Sequence, residues 1–175
     1  IYKKMNSLKI IFENYKLFNK DPVDGVSIDF NDENPFEWSL IIIGPKDSPY
    51  EGGCFKAKIL FPKNFPHSPP DFIFISKIFH PNIYENGKVC ISILHEGEDR
   101  FGYESADERW RPVHTVNSIL LSIISLLHDP NDESPANIQS AKVWREDKKE
   151  FQKIVNQCTK AVSYTHLRAH ETDRH

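Results

Sequence analysis

The sequence predicts an α+β fold in one domain: an N-terminal helix, a four-stranded antiparallel meander, a long irregular stretch, then C-terminal helices. Three observations carry that expectation. Apolar residues recur at helical spacing near the start and again after residue 114. Between those stretches, short β-type runs are separated by glycine and proline turns. A stiff, proline-dense segment with Pro62, Pro66, Pro69, Pro70 and Pro81 is expected to be mostly irregular.

Met5, Leu8, Phe12 and Tyr15 stand three and four residues apart, which predicts one buried helix face. Asp21-Pro22 ends that helix, because the residue before proline is pushed out of the α region. Val26 to Phe30, Trp38 to Ile43, Phe55 to Phe61 and Phe72 to Ile75 read as strands. Gly44-Pro45 and Glu51-Gly52-Gly53 supply turns between them. In the third run Phe55, Ala57, Ile59 and Phe61 alternate with Lys56, Lys58 and Leu60, as a strand buried on one face should. Val116, Ile119, Leu120, Ile123, Ile124 and Leu127 predict a strongly apolar helix, stopped by Asp129-Pro130-Asn131. Ser134-Pro135 is expected to open the next helix, with Ser134 as N-cap. Lys142 to Ala161 reads as a final helix, with Trp144, Phe151, Ile154, Val155 and Cys158 at core-like spacing.

Residues 1–162 are read as this domain, and 163–175, with three of the eight histidines and little apolar periodicity, as a disordered or non-native tail. The net charge of -3 gives no electrostatic basis for nucleic-acid binding. No run approaches the ~20 apolar residues of a membrane span, so no membrane insertion is expected. Cys54, Cys90 and Cys158 are odd in number and far apart, without a Cys-x-x-Cys pair. That supports neither zinc nor a disulfide framework and points to reduced thiols in a cytoplasmic or nuclear setting.

The chemistry is expected in Phe79-His80-Pro81-Asn82-Ile83-Tyr84-Glu85-Asn86-Gly87-Lys88-Val89-Cys90-Ile91, a turn-rich stretch following the strands. By itself Cys90 has two readings, a small core filler or a displayed nucleophile. No general base is adjacent to it in the chain, and Lys88 is the only nearby cation.

His80-Pro81-Asn82, then seven residues, then Cys90-Ile91 resembles the active-site signature of ubiquitin-conjugating enzymes. Gly44-Pro45 with Tyr50-Glu51-Gly52-Gly53, Phe61-Pro62, Phe65-Pro66, Pro69-Pro70, Trp110-Arg111-Pro112 and Asp129-Pro130-Asn131 extend the likeness in one register from about Leu8 to Ala161. Cys90-Ile91-Ser92-Ile93-Leu94-His95-Glu96, Gly102-Tyr103-Glu104-Ser105 and Glu108-Arg109-Trp110 resemble the G-type subgroup, which carries an acidic insertion after the cysteine.

The resemblance implies the ubiquitin-conjugating fold and a thioester of ubiquitin on Cys90, received from an activating enzyme and passed to a substrate or ubiquitin lysine. It assigns Asn82 to the oxyanion, by donating to it or by holding the loop that shapes the site. It makes His80 a structural histidine and aligns Ser134 with a position flanking the cysteine, where many relatives carry aspartate. Serine cannot act as a carboxylate, so Glu98 and Asp99 of the insertion become candidates to take the acceptor's proton. Lys4 and Lys9 would meet the activating enzyme, and His67, Pro112 and Val113 a RING-type ligase. No cofactor or metal is implied. The subgroup likeness adds endoplasmic-reticulum quality control, with recruitment to that organelle's cytosolic face through partners. A conjugating enzyme for another ubiquitin-like modifier, or a non-catalytic relative, are the alternatives.

Overall fold

The computed structural model describes residues 2–159, with side chains from Asn6 onward. Helix α1 (Tyr2–Lys20) leads into strands β1 (Val26–Phe30), β2 (Glu37–Ile43), β3 (Cys54–Leu60) and β4 (Asp71–Phe74). The strands form one antiparallel sheet in the order β1-β2-β3-β4, the expected meander. A short 3-10 turn (Ser92–Leu94), α2 (Val116–His128) and α3 (Ile138–Glu146) follow, and the chain is helical again over 148–159.

Period-two alternation puts Trp38, Leu40 and Ile42 of β2 on the same buried face as Phe55, Ala57 and Ile59 of β3 and Phe72 and Phe74 of β4. Val116, Ile119, Leu120, Ile123 and Leu127 of α2 join them in one core cluster. Each such large side chain withdrawn from water contributes roughly 1.5–3 kcal/mol. Thr115 caps α2 reciprocally with Ser118, so this central helix starts at a defined residue.

Helix α1 differs from expectation in which face it buries. Ser7, Ile11, Asn14 and Phe18 are the hidden positions, whereas Phe12 is exposed and Tyr15 stacks on Phe30 at 4.4 Å between ring centroids. Two polar residues tolerate that burial because they are hydrogen-bonded. Ser7 donates to the Lys63 carbonyl at 2.9 Å, and Asn14 accepts from the Val116 amide at 2.9 Å. Met5 lies outside the described side chains.

Two helix boundaries also move. The expected N-cap at Ser134 is instead Asn137, whose side chain accepts from the Ser140 amide. Ala136 and Asn137 donate their amides to the Pro81 carbonyl at 2.8 and 3.0 Å, which prevents an earlier helical start. The single helix expected over Lys142–Ala161 is broken at Asp147, which ends α3 and accepts from the Lys149 and Glu150 amides of the following turn. The proposed tail, 163–175, lies outside the described residues.

The free edge of β4 is partly covered by the strip that leads to Cys90. Phe74 donates to the Gly87 carbonyl at 2.8 Å, and Val89 donates to the Phe72 carbonyl at 2.9 Å. Gly87 sits at φ +90, and a Cβ there would collide with the Phe74 carbonyl oxygen. Only glycine allows both the left-handed backbone and the close approach. Gly87→Ala should therefore cost at least about 2 kcal/mol in urea unfolding, through backbone strain and loss of the β4 contact.

Candidate active site

Cys90 stands at the end of that strip. Its amide donates to the Asn82 carbonyl at 2.9 Å, while the turn before it is closed by Gly87 donating to the Tyr84 carbonyl at 2.8 Å. The thiol is free and half-buried, and it lines an open cleft of about 450 Å³ with Tyr84, Asn86, Lys88, Leu94 and His95. Negative charge on its sulfur raises the pKa of the neighbouring Tyr84 phenol. Cys90 is thus a side chain displayed on locked backbone rather than a plug in the core.

His80 and Asn82 provide the lock. His80 is completely buried, with Nε2 2.8 Å from the Leu126 carbonyl of α2 and Nδ1 2.9 Å from the Asn82 amide. An amide N–H on Nδ1 fixes the neutral tautomer that carries its proton on Nε2. Burial holds its pKa down at about 4 despite the Leu126 hydrogen bond. Asn82 is 3% exposed, and its side-chain amide pairs reciprocally with Asn131: Nδ2 donates to the carbonyl at 2.6 Å and Oδ1 accepts from the amide at 2.8 Å. Of the two roles offered for Asn82, this geometry favours holding the loop.

The acidic insertion is a closed loop whose ends meet where Trp110 donates its amide to the His95 carbonyl at 2.9 Å. Asp99 accepts from the Phe101, Tyr103 and Glu104 amides, and those bonds hold its carboxyl below the usual range. Arg109 donates to the Gly97 carbonyl at 2.8 Å, to the Glu96 carbonyl at 2.9 Å and to the Glu104 carboxylate at 2.5 Å. Glu104 also lies 2.9 Å from Nδ1 of His95, whose Nε2 is 3.5 Å from the sulfur of Cys90. No base is adjacent to Cys90 in the chain, yet the fold brings an imidazole to it. The sequence signal was a histidine five residues beyond the cysteine, followed by a run of acids.

The remaining sequence-derived positions scatter around this centre. Asp99 is occupied in shaping its loop, and Glu98 is exposed on it. Ser134 is exposed in a segment pinned at both ends, by Asn131 on Asn82 and by Ala136 and Asn137 on Pro81. His67, Pro112 and Val113 are all exposed. Their two loops are joined because the Trp110 indole donates to the Pro66 carbonyl at 2.9 Å. Lys9 is exposed on α1, and the Lys4 side chain lies outside the described ones. Among the described residues no helix is long and apolar enough to cross a membrane, and no group of three His, Cys, Asp or Glu could hold a metal ion.

The four-stranded α+β domain presents the Cys90 thiol to a cleft on backbone braced from behind, an arrangement suited to cysteine chemistry. The family described as ubiquitin-conjugating enzyme matches residues 10–159. The chain is 60% identical over 143 residues to ubiquitin-conjugating enzyme E2 13 of Arabidopsis thaliana, covering 81% of this chain and 86% of that one. It is 49% identical over 153 residues to human ubiquitin-conjugating enzyme E2 G2, covering 86% and 93% respectively. Over 151 residues it is 50% identical to ubiquitin-conjugating enzyme E2 15 of Schizosaccharomyces pombe, covering 85% and 90%. The chain belongs to the ubiquitin-conjugating enzyme family, whose members are transferases.

The buried neutral His80 makes stability depend on pH. Its folded pKa of about 4 lies below the ordinary 6.5, so its contribution is complete above 6.5 and is lost as pH falls toward 4. Between pH 7.5 and 5.0, wild type should lose about 2 kcal/mol more unfolding free energy than His80→Gln. Urea titrations of both proteins at the two pH values check this.

Proposed function

We propose that this protein accepts ubiquitin from an activating enzyme as a thioester on Cys90 and transfers it to a lysine of a substrate or of ubiquitin. The observation that carries the reading is the free thiol of Cys90, at the family's signature position and open to a cleft. A thiolate exchanges readily with an incoming thioester and conserves its energy for aminolysis. Such a carrier must reach two partners in turn, which suits a sulfur at a cleft rim.

Asn82 acts in this scheme by fixing the loop that shapes the oxyanion's surroundings, and His80 acts as its buried support. Exposed Glu98, with Asp99 organising the loop beside it, forms an acidic rim that would attract the acceptor's ammonium group. Ser134, exposed on the segment held by Asn82 and Pro81, would flank the site as the resemblance implies. The joined loops bearing His67, Pro112 and Val113 offer one surface for a RING-type ligase. Lys9, exposed on α1, and Lys4 would meet the activating enzyme. The likeness to the G-type subgroup supports protein degradation as the process, with quality control at the cytosolic face of the endoplasmic reticulum as the proposed setting. The names of the relatives favour ubiquitin over another modifier.

Incubation with activating enzyme, ATP and ubiquitin should give a species one ubiquitin heavier that disappears on adding a thiol reductant. Cys90→Ser should give a reductant-resistant oxyester or no adduct. A reductant-sensitive adduct that persists in Cys90→Ser would refute the assignment.

A further inference from the structure

The base of the inserted loop returns a histidine to the reacting sulfur. The 3-10 turn Ser92–Leu94 reverses the chain immediately after Cys90 and Ile91, and His95 follows it. Its Nε2 lies 3.5 Å from Sγ of Cys90, within hydrogen-bond range for sulfur. The opposite nitrogen, Nδ1, lies 2.9 and 3.0 Å from the two carboxylate oxygens of Glu104. Glu104 is itself gripped by the Ser92 hydroxyl at 3.0 Å and the Arg109 guanidinium at 2.5 Å. Both ring nitrogens are therefore engaged, and the imidazole is oriented by a carboxylate that is oriented in turn. Sulfur, imidazole and carboxylate in that order form a nucleophile, a base and an orienting group. The site is only partly desolvated, with side-chain exposures of 31% for His95 and 22% for Glu104, so an acceptor can still approach.

We propose that His95 is the catalytic base that takes the acceptor lysine's proton when the Cys90 thioester is discharged, with Glu104 as its positioning residue. This rests on the thioester reading above. The neutral lysine amine attacks the thioester carbonyl, forming the carbon–nitrogen bond and a tetrahedral adduct whose nitrogen bears a surplus proton. That proton passes to Nε2 of neutral His95. The carbon–sulfur bond then breaks with its electron pair going to Sγ, which leaves an isopeptide, a Cys90 thiolate and a His95 imidazolium as neighbours. In the next loading, the thiolate attacks the incoming thioester. The departing thiolate of the activating enzyme then takes up the imidazolium proton, which resets the pair.

Protonation follows the same sequence. In the unloaded protein, hydrogen bonding to Cys90 leads the influences that lift His95 to about 9, with burial opposing and Glu104 assisting. Acylation of the sulfur removes the leading influence, which weakens the imidazole's hold on its proton at the stage where the thioester needs a base. The groups facing it are Glu104 from the insertion, Arg109 beyond that carboxylate, and Tyr84, Lys88 and Asp71 around the cleft.

The test uses pre-formed thioester in single-turnover discharge to free lysine, comparing wild type, His95→Ala and Glu104→Gln across pH 6 to 9. His95→Ala should discharge about 100-fold more slowly, and Glu104→Gln about 10-fold. The ratio of wild-type to His95→Ala rates cancels the acceptor's own titration. It should rise with pH through one ionisation and level off, and added imidazole should restore part of the lost rate. The proposal is overturned if His95→Ala discharges within about twofold of wild type. A loss of equal size at every pH without imidazole rescue, as a purely structural histidine would give, also overturns it. If wild type loads but neither variant does, the pair serves loading or folding and the discharge role is wrong. A wild type that carries no thioester at all refutes the reading of Cys90 instead.

Discussion

A side-chain amide buried as deeply as that of Asn82 must be hydrogen-bonded, and both of its partners belong to one residue, Asn131. That reciprocal pair joins segments 49 positions apart and holds the loop after α2 against the stretch before Cys90. The Pro81 carbonyl repeats the grip one residue earlier by accepting the Ala136 and Asn137 amides. With His80 anchored under α2 and Gly87 to Val89 laid along β4, little conformational freedom is left between residues 80 and 90. The position of the sulfur is set by its backbone rather than by its own packing, so it can be both immobile and open to a cleft.

The other rim of the cleft is held by different forces. The loop from Glu96 to Arg109 contributes no residue to the hydrophobic core, and its two aromatics, Phe101 and Tyr103, are 82% and 88% exposed. What organises it is polar: the Asp99 carboxylate on three amides, the Arg109 guanidinium on two carbonyls and Glu104, and Glu104 on His95. A loop so built belongs to the more easily opened part of a structure. Cys90 is thus fixed by backbone pairing along β4 and to Asn82, while His95 and Glu104 face it from a surface ordered by charge. On the reading proposed for Cys90, a carrier that must admit two partners in succession benefits from that division.

The elements that were legible in the sequence are those whose period is set by apolar burial. The four strands and α2 fall where alternation and helical spacing put them, within a residue or so. The misreadings share one cause, a polar side chain that satisfies itself at a place where hydropathy sees nothing. Ser7 and Asn14 turn the buried face of α1 because their hydrogen bonds make burial tolerable. Asn137 displaces Ser134 as a cap because Pro81 claims the preceding amides, and Asp147 splits the last helix by capping its second half. At the site, His80, Asn82 and Cys90 were visible through their order in the chain. The pairing of His95 with Glu104 was not, because a long loop brings those residues together and spacing alone does not reveal its closure.

The brace between Asn82 and Asn131 is tested most directly by amide hydrogen exchange at Asn131 and Cys90 in the native protein. Neither residue lies in a helix or strand, so sequence position alone would give both amides the fast exchange of surface loops. If the brace fixes the sulfur as described, both should be protected nearly as well as the amides of β3 and should exchange together. Exchange of the Asn131 amide at an unprotected loop rate, with Cys90 following it, would contradict the account.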